Sequence, residues 1–149
     1  MENVFNVASF FIKKGEENHQ YMTHLKLQKL CYYAKAWGLA ILDRAIFVEE
    51  FEAWVHGPVS TTLFQRYKNY GFNFIFSDEL EQEHEFEPEI KQLLEAVWQT
   101  YGHIDAKVLE GLTHSESPWI DAREGLKDYE YSNNLINEHG MKVFYRKRL

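Results

Sequence analysis

Between Thr23 and Ile41 the apolar residues Leu27, Leu30, Cys31, Ala34, Ala36, Trp37 and Ile41 recur every three or four positions. That spacing belongs to an α-helix, whose turn of about 3.6 residues gathers such positions onto one side. Thr23 can cap the first turn by accepting a hydrogen bond from a backbone N–H that has no intrahelical partner. The segment therefore predicts a central helix. Cys31 falls inside the stripe and reads as a packed small hydrophobe, since a reactive thiol needs exposure and a neighbour that lowers its pKa.

Other segments supply what packs around this helix. Val4 to Glu17 places Val4, Val7, Ala8, Phe11 and Ile12 at helical spacing, with Gly15 and Asn18 weakening its end. From Ala45 to Val55 the pattern changes to short β-branched and aromatic runs, Ile46 to Val48 and Phe51 to Val55, which predict a small β-hairpin or extended pair. Gly57-Pro58 punctuates the chain, and Pro58 suits the first turn of a helix, where its missing N–H is no loss. A helix over Thr62 to Tyr70 is expected, stopped by Gly71. Phe72 to Phe76 fits either a further short strand or a cover for the core. Ser77 to Glu87 is dense in acidic residues and reads as a solvated loop.

Pro88 restarts the helical pattern through Ile90, Leu93, Leu94, Val97 and Trp98 up to Gly102. Asp105 is a cap for a brief helix over Ala106 to Leu112, and Ser117 a cap for another that holds Pro118 in its first turn and ends near Gly125. A final helix through Ile136, Val143 and Phe144 is expected to start at Ser132 or Asn133, weakened by Gly140. No repeat or low-complexity linker divides the sequence. Residues 1–149 read as one mainly α domain, a compact multi-helix unit with a small β-hairpin or short antiparallel β element.

The formal net charge of −7 argues against direct nucleic-acid binding, which needs clustered Lys and Arg to displace counterions. It favours a basic partner instead. The cationic cluster Lys142, Arg146, Lys147 and Arg148 matches the negative end of a last helix. One cysteine excludes an intrachain disulfide and a paired-cysteine zinc site, and fits a reducing compartment. The start lacks a signal peptide's pattern, and no apolar run approaches the roughly 20 residues a membrane span needs. A cytoplasmic protein without membrane contact is expected.

Seven histidines invite a search for catalysis, yet HExxH, HxH, GxSxG, GxGxxG and the P-loop pattern are all missing. A catalytic or metal site would need distant residues brought together: His24, His56, His103 or His114 with Glu116 or Asp121. Aromatic residues beside turns stand out more. Trp54 precedes His56-Gly57-Pro58, and His114 precedes Pro118-Trp119; each group fits a structural corner or a recognition patch.

The order of several segments is familiar. Leu25 to Ala34 reads LKLQKLCYYA, Phe51 to Val59 reads FEAWVHGPV, Tyr101-Gly102 follows, and Leu112 to Trp119 reads LTHSESPW with Ala122-Arg123 beyond. Together these resemble the Panacea antitoxin domain family, which includes phage-associated GepA-like proteins and SocA-like antitoxins. His56 stands where that family often carries another aromatic residue such as tyrosine. The resemblance implies a mainly helical domain that neutralises a cognate toxin protein, usually encoded next to it, by direct association.

The expected function is thus that of an antitoxin and not of an enzyme, with no cofactor or metal. The expected partner-binding residues are Trp54, His56, Gly57, Pro58, His114 and Trp119. An alternative is an adaptor that delivers a client to a protease or other machine. A hydrolase built on His24, His56 or His114 is a third possibility. The acidic loop and the region after Gly125 carry none of the family's motifs and are expected to hold partner specificity.

Overall fold

The computed structural model describes residues 1–78 and 82–149; positions 79–81 of the expected acidic loop lie outside the described residues. Helix α1 (Val4–Glu17) starts at Asn3, whose side chain accepts from the Asn6 N–H, and turns Val4, Val7, Ala8, Phe11 and Ile12 inward. Helix α2 (His24–Leu42) starts at Thr23, whose hydroxyl accepts from the Lys26 N–H. It is the axis of the domain.

The one-sided stripe expected of α2 proves too narrow a description. Fifteen of its 19 residues are buried, and they include Lys26, Gln28, Lys29 and Lys35. A helix enclosed on all sides has no solvent-facing stripe, so its polar residues must find partners inside the protein. Ile41, assigned to the stripe, instead lies where the helix emerges and is half exposed.

The hairpin forms one step later in the chain than expected. Strand β1 (Glu52–Trp54) pairs antiparallel with β2 (Gly57–Val59), in the register Glu52 to Val59, Ala53 to Pro58 and Trp54 to Gly57. Ile46 to Val48 is not its first arm: Phe47 makes an isolated bridge with Glu2, and Ile46 accepts from the Glu2 N–H. Pro58 is in a strand and not in the first turn of a helix. It is tolerated because Ala53, opposite it, directs its own N–H and C=O away from β2, to Asn134 and Arg123. The ladder asks for no N–H from the proline at that rung.

Helix α3 (Thr61–Tyr67) begins after the hairpin with Ser60 as its cap, and Lys68–Tyr70 adds a single tighter turn before Gly71. Phe72 to Phe76 both bridges and covers: Ile75 is buried and its N–H donates to the Met22 carbonyl. Helix α4 (Pro88–Tyr101) has Pro88 in its first turn, as expected. Helix α5 (Ala106–His114) is capped by Asp105 and runs two residues past the expected end.

Helix α6 (Ser117–Ala122) is shorter than expected and lacks the predicted serine cap. Ser117 is its first residue, and Glu116 holds the cap position while its carboxylate points elsewhere. Helix α7 (Glu138–Arg146) starts at Asn137, whose side chain accepts from the Gly140 N–H, and not at Ser132 or Asn133. Ile136 stays outside it because its N–H donates to the Phe51 carbonyl, alongside the hairpin.

Helix α2 packs against α1, α3, α4, α5, α7 and β2. The protein is mainly α with one two-stranded antiparallel sheet. Among the described residues no helix is long and apolar enough to cross a membrane. The Asn137 cap leads to a prediction: Asn137→Ala should lower stability in urea denaturation by about 1 kcal/mol. Asn133→Ala should change it by less than about 0.5 kcal/mol.

Candidate functional site

Five of the six expected site residues converge at one corner. The Trp119 indole N–H donates to the Trp54 carbonyl at 2.8 Å, and the His114 ring stacks on Trp119 at 3.9 Å and 14°. On Trp119 also lies the Arg123 guanidinium, 4.6 Å from the ring centre, and it donates to the Ala53 carbonyl at 2.9 Å and to the carbonyls of Lys127 and Glu130. Arg123 thereby ties the hairpin, α6 and the following loop together.

Gly57 and Pro58 meet α2 in the same corner. The Lys29 ammonium donates to the Pro58 carbonyl at 3.1 Å. Gly57 has φ +103°, and a Cβ there would stand 2.6 Å from Lys29 Cε and 3.0 Å from the Thr113 hydroxyl. Only glycine suits both the backbone and the space.

Accessibility separates the six. Gly57, Pro58 and Trp119 are buried; Trp54 and His114 are half-buried; His56 is exposed. Trp54 packs its ring on Phe64 and donates from its indole N–H to Glu52. His56 Nδ1 lies 2.9 Å from a Glu110 carboxylate oxygen. Of the six, His56 alone offers most of its side chain to a partner without a change of conformation.

The histidines and carboxylates weighed for acid–base work do not assemble. His24 packs on Phe64 and Tyr67 and meets the Gln28 amide, and burial lowers its pKa to about 4. His103 is exposed, as is Asp121. Burial also lowers the pKa of His114, whose Nε2 has no hydrogen-bond partner.

Glu116 serves a different purpose. One of its oxygens accepts from both Tyr33 and Tyr145, each at 2.8 Å, and the Tyr32 and Tyr145 hydroxyls are 3.2 Å apart. Burial raises the Glu116 pKa, against the pull of the tyrosine hydrogen bonds. Tyr33 stacks on Tyr101 at 4.0 Å, and Tyr101 accepts from the Trp37 indole. This is a buried polar knot joining α2, α4, α6 and α7.

Sequence reasoning missed the residues that hold the corner and the knot: Lys29, Lys35, Tyr33, Arg123 and Glu116 in its present role. One signal was available. Lys26 and Lys29 share one side of α2 while Lys35 falls opposite Lys26, so the charged residues gather into no single face for solvent. A concavity of about 790 Å³ beside α1 and residues 82–86 contains none of the six. Among the described residues no His, Cys, Asp or Glu group is arranged to hold a metal ion.

Two predictions come from the corner. Gly57→Ala should destabilise the fold by about 2 kcal/mol or more in urea denaturation, from the left-handed backbone and the contact with Lys29. The second concerns Lys29, whose pKa burial lowers from 10.5 to about 7. Between those values the unfolded chain binds a proton that the folded protein does not, so Lys29 makes stability rise with pH. Lys29→Met should remove this slope, by at most about 1.4 kcal/mol per pH unit, in denaturation followed from pH 7 to 9.

A family model described as antitoxin SocA-like, Panacea domain, matches residues 27–120, which include all six expected site residues and leave α1 and α7 outside. No curated protein and no solved structure shows significant similarity to the chain. With most of its length matched, including the hairpin corner, this chain belongs to the SocA-like antitoxin, Panacea domain family.

Proposed function

We propose that this protein neutralises a partner toxin by direct, stoichiometric binding and carries out no turnover. Membership of an antitoxin family across residues 27–120 is the observation that carries the reading. Its negative charge adds support, because an acidic surface accelerates encounter with a basic partner.

An adaptor that delivers a client to a protease or other machine is favoured by one observation. Two sets of exposed aromatic residues exist in different segments, Phe72 with Phe74 and Phe76, and Tyr129 with Tyr131. An adaptor needs two separable contact surfaces, and simple neutralisation needs one.

The test is to express the product of the neighbouring gene alone and together with this protein. Growth arrest should appear with the neighbour alone, disappear on co-expression, and be accompanied by a complex of fixed stoichiometry. A harmless neighbour with no complex would defeat the proposal. A fall in the neighbour's steady-state level on co-expression would favour the adaptor instead. His56→Ala should preserve rescue; rescue by substoichiometric wild-type protein that this folded variant loses would point to catalysis.

A further inference from the structure

The large rings at the centre of this protein, such as Phe11, Phe47 and Trp119, are sealed from solvent. Phe72, Phe74 and Phe76 are not: they are 92%, 51% and 56% exposed, while Ile75 between them is buried. The bridge from the Ile75 N–H to the Met22 carbonyl turns Ile75 inward and its neighbours Phe74 and Phe76 outward, while Phe72 is exposed in the turn before them. Tyr21, itself exposed, packs against Phe74 and Phe76 with ring centres 5.7 and 5.5 Å apart. Tyr21, Phe74 and Phe76 form one aromatic ridge, held in place by mutual contact and by a backbone bond to Met22 just before α2, and Phe72 stands almost fully exposed two residues ahead of it in the chain. Exposed rings kept together in water are a poor arrangement for an isolated protein and a good one for an interface.

Charge narrows what can cover the ridge. Asp78, two residues past Phe76, is exposed, whereas Glu83 and Glu85 lie farther along, beside a concavity that Lys13, Lys14 and Lys91 also line. Glu17, at the end of α1, is also exposed. Glu16 accepts from the Ser77 N–H, which holds the departing chain beside α1. Of the cations nearby, Arg66 lines a concavity with Phe76 and Asp78 but lays its guanidinium on the Phe5 ring at 3.7 Å, and Lys68 has its ammonium hydrogen-bonded to Gln65. A second copy meeting the ridge about a two-fold axis would bring like acidic flanks together. A basic protein would not meet that repulsion.

We infer that the ridge of Tyr21, Phe74 and Phe76, with the exposed Phe72 ahead of it, is the docking face for the partner protein, and that the partner presents an apolar groove edged with Lys and Arg. This rests on the neutralisation reading and adds the surface that performs it. The aromatic rings supply the anchors, and the acidic flank sets the encounter rate and selects a basic rim.

The probe is the purified product of the neighbouring gene, in titration calorimetry and in the growth assay. Phe72→Ser with Phe74→Ser should leave the melting temperature unchanged and weaken binding by about thirtyfold or more, with rescue lost. Glu17→Lys with Asp78→Lys should slow association at low salt, an effect that shrinks as salt rises. A folded serine variant that binds and rescues like wild type would overturn the ridge and leave the antitoxin function standing. Failure of wild type itself to bind or rescue defeats the proposed function, and with it the occupant assigned here. A wild-type dimer that the serine variant dissolves would assign the ridge to a second copy and overturn the inference. Should the double variant unfold, Phe72→Ser decides alone, since its side chain has almost no contacts to lose; unchanged affinity would count against the ridge.

Discussion

The fold depends on hydrogen bonds that α2 donates from its buried polar side chains to the backbone of distant segments. Lys26 reaches the Gly102 carbonyl, Lys29 the Pro58 carbonyl, and Lys35 the Val48 and Glu49 carbonyls. Gln28 both donates to the Ser60 carbonyl and accepts from the Ser60 N–H. An ammonium group loses much solvation on burial, so each such bond must be made with good geometry or the segment does not dock. Hydrophobic contact draws elements together without fixing their register. These bonds fix it, and they do so for the hairpin, the entry to α3, the end of α4 and the loop before β1.

The glutamate and tyrosine knot performs a similar service farther along α2. Glu116 sits at the start of α6 and leaves that helix without a side-chain cap in order to accept from Tyr33 of α2 and Tyr145 of α7. Local stability at α6 is exchanged for a link between three helices. Lys35 adds to this: its ammonium also pairs with Glu138 of α7 at 2.7 Å, so α7 is attached to α2 at both of its ends.

What could be read from the sequence follows from which interactions are local. Helix existence was legible wherever apolar spacing and a capping residue coincided, as at Thr23, Asp105 and Pro88. Errors arose where a distant partner outbid the local signal. Ser132 has the chemistry of a cap, but Ile136 is held by the Phe51 carbonyl, so α7 cannot begin until Asn137. Ile46 to Val48 has the composition of a strand, yet its neighbours are the chain start and Lys35. For the site, the family motifs name residues that meet at one corner, but burial of Gly57, Pro58 and Trp119 is a tertiary fact that no spacing carries. The roles of Lys29 and Arg123 were invisible for the same reason, since their acceptors are backbone carbonyls that leave no mark on composition.

The hairpin is also closed along both of its margins. Outside β1, the N–H of Ala53 and the carbonyl of Phe51 are taken by Asn134 and Ile136. Outside β2, Pro58 has no N–H to give, its carbonyl is held by Lys29, and the next N–H, that of Ser60, is held by Gln28. No row of open backbone groups remains there for another chain to join by strand addition. This small sheet is therefore silent toward foreign strands, and recognition at the corner has to proceed through side chains.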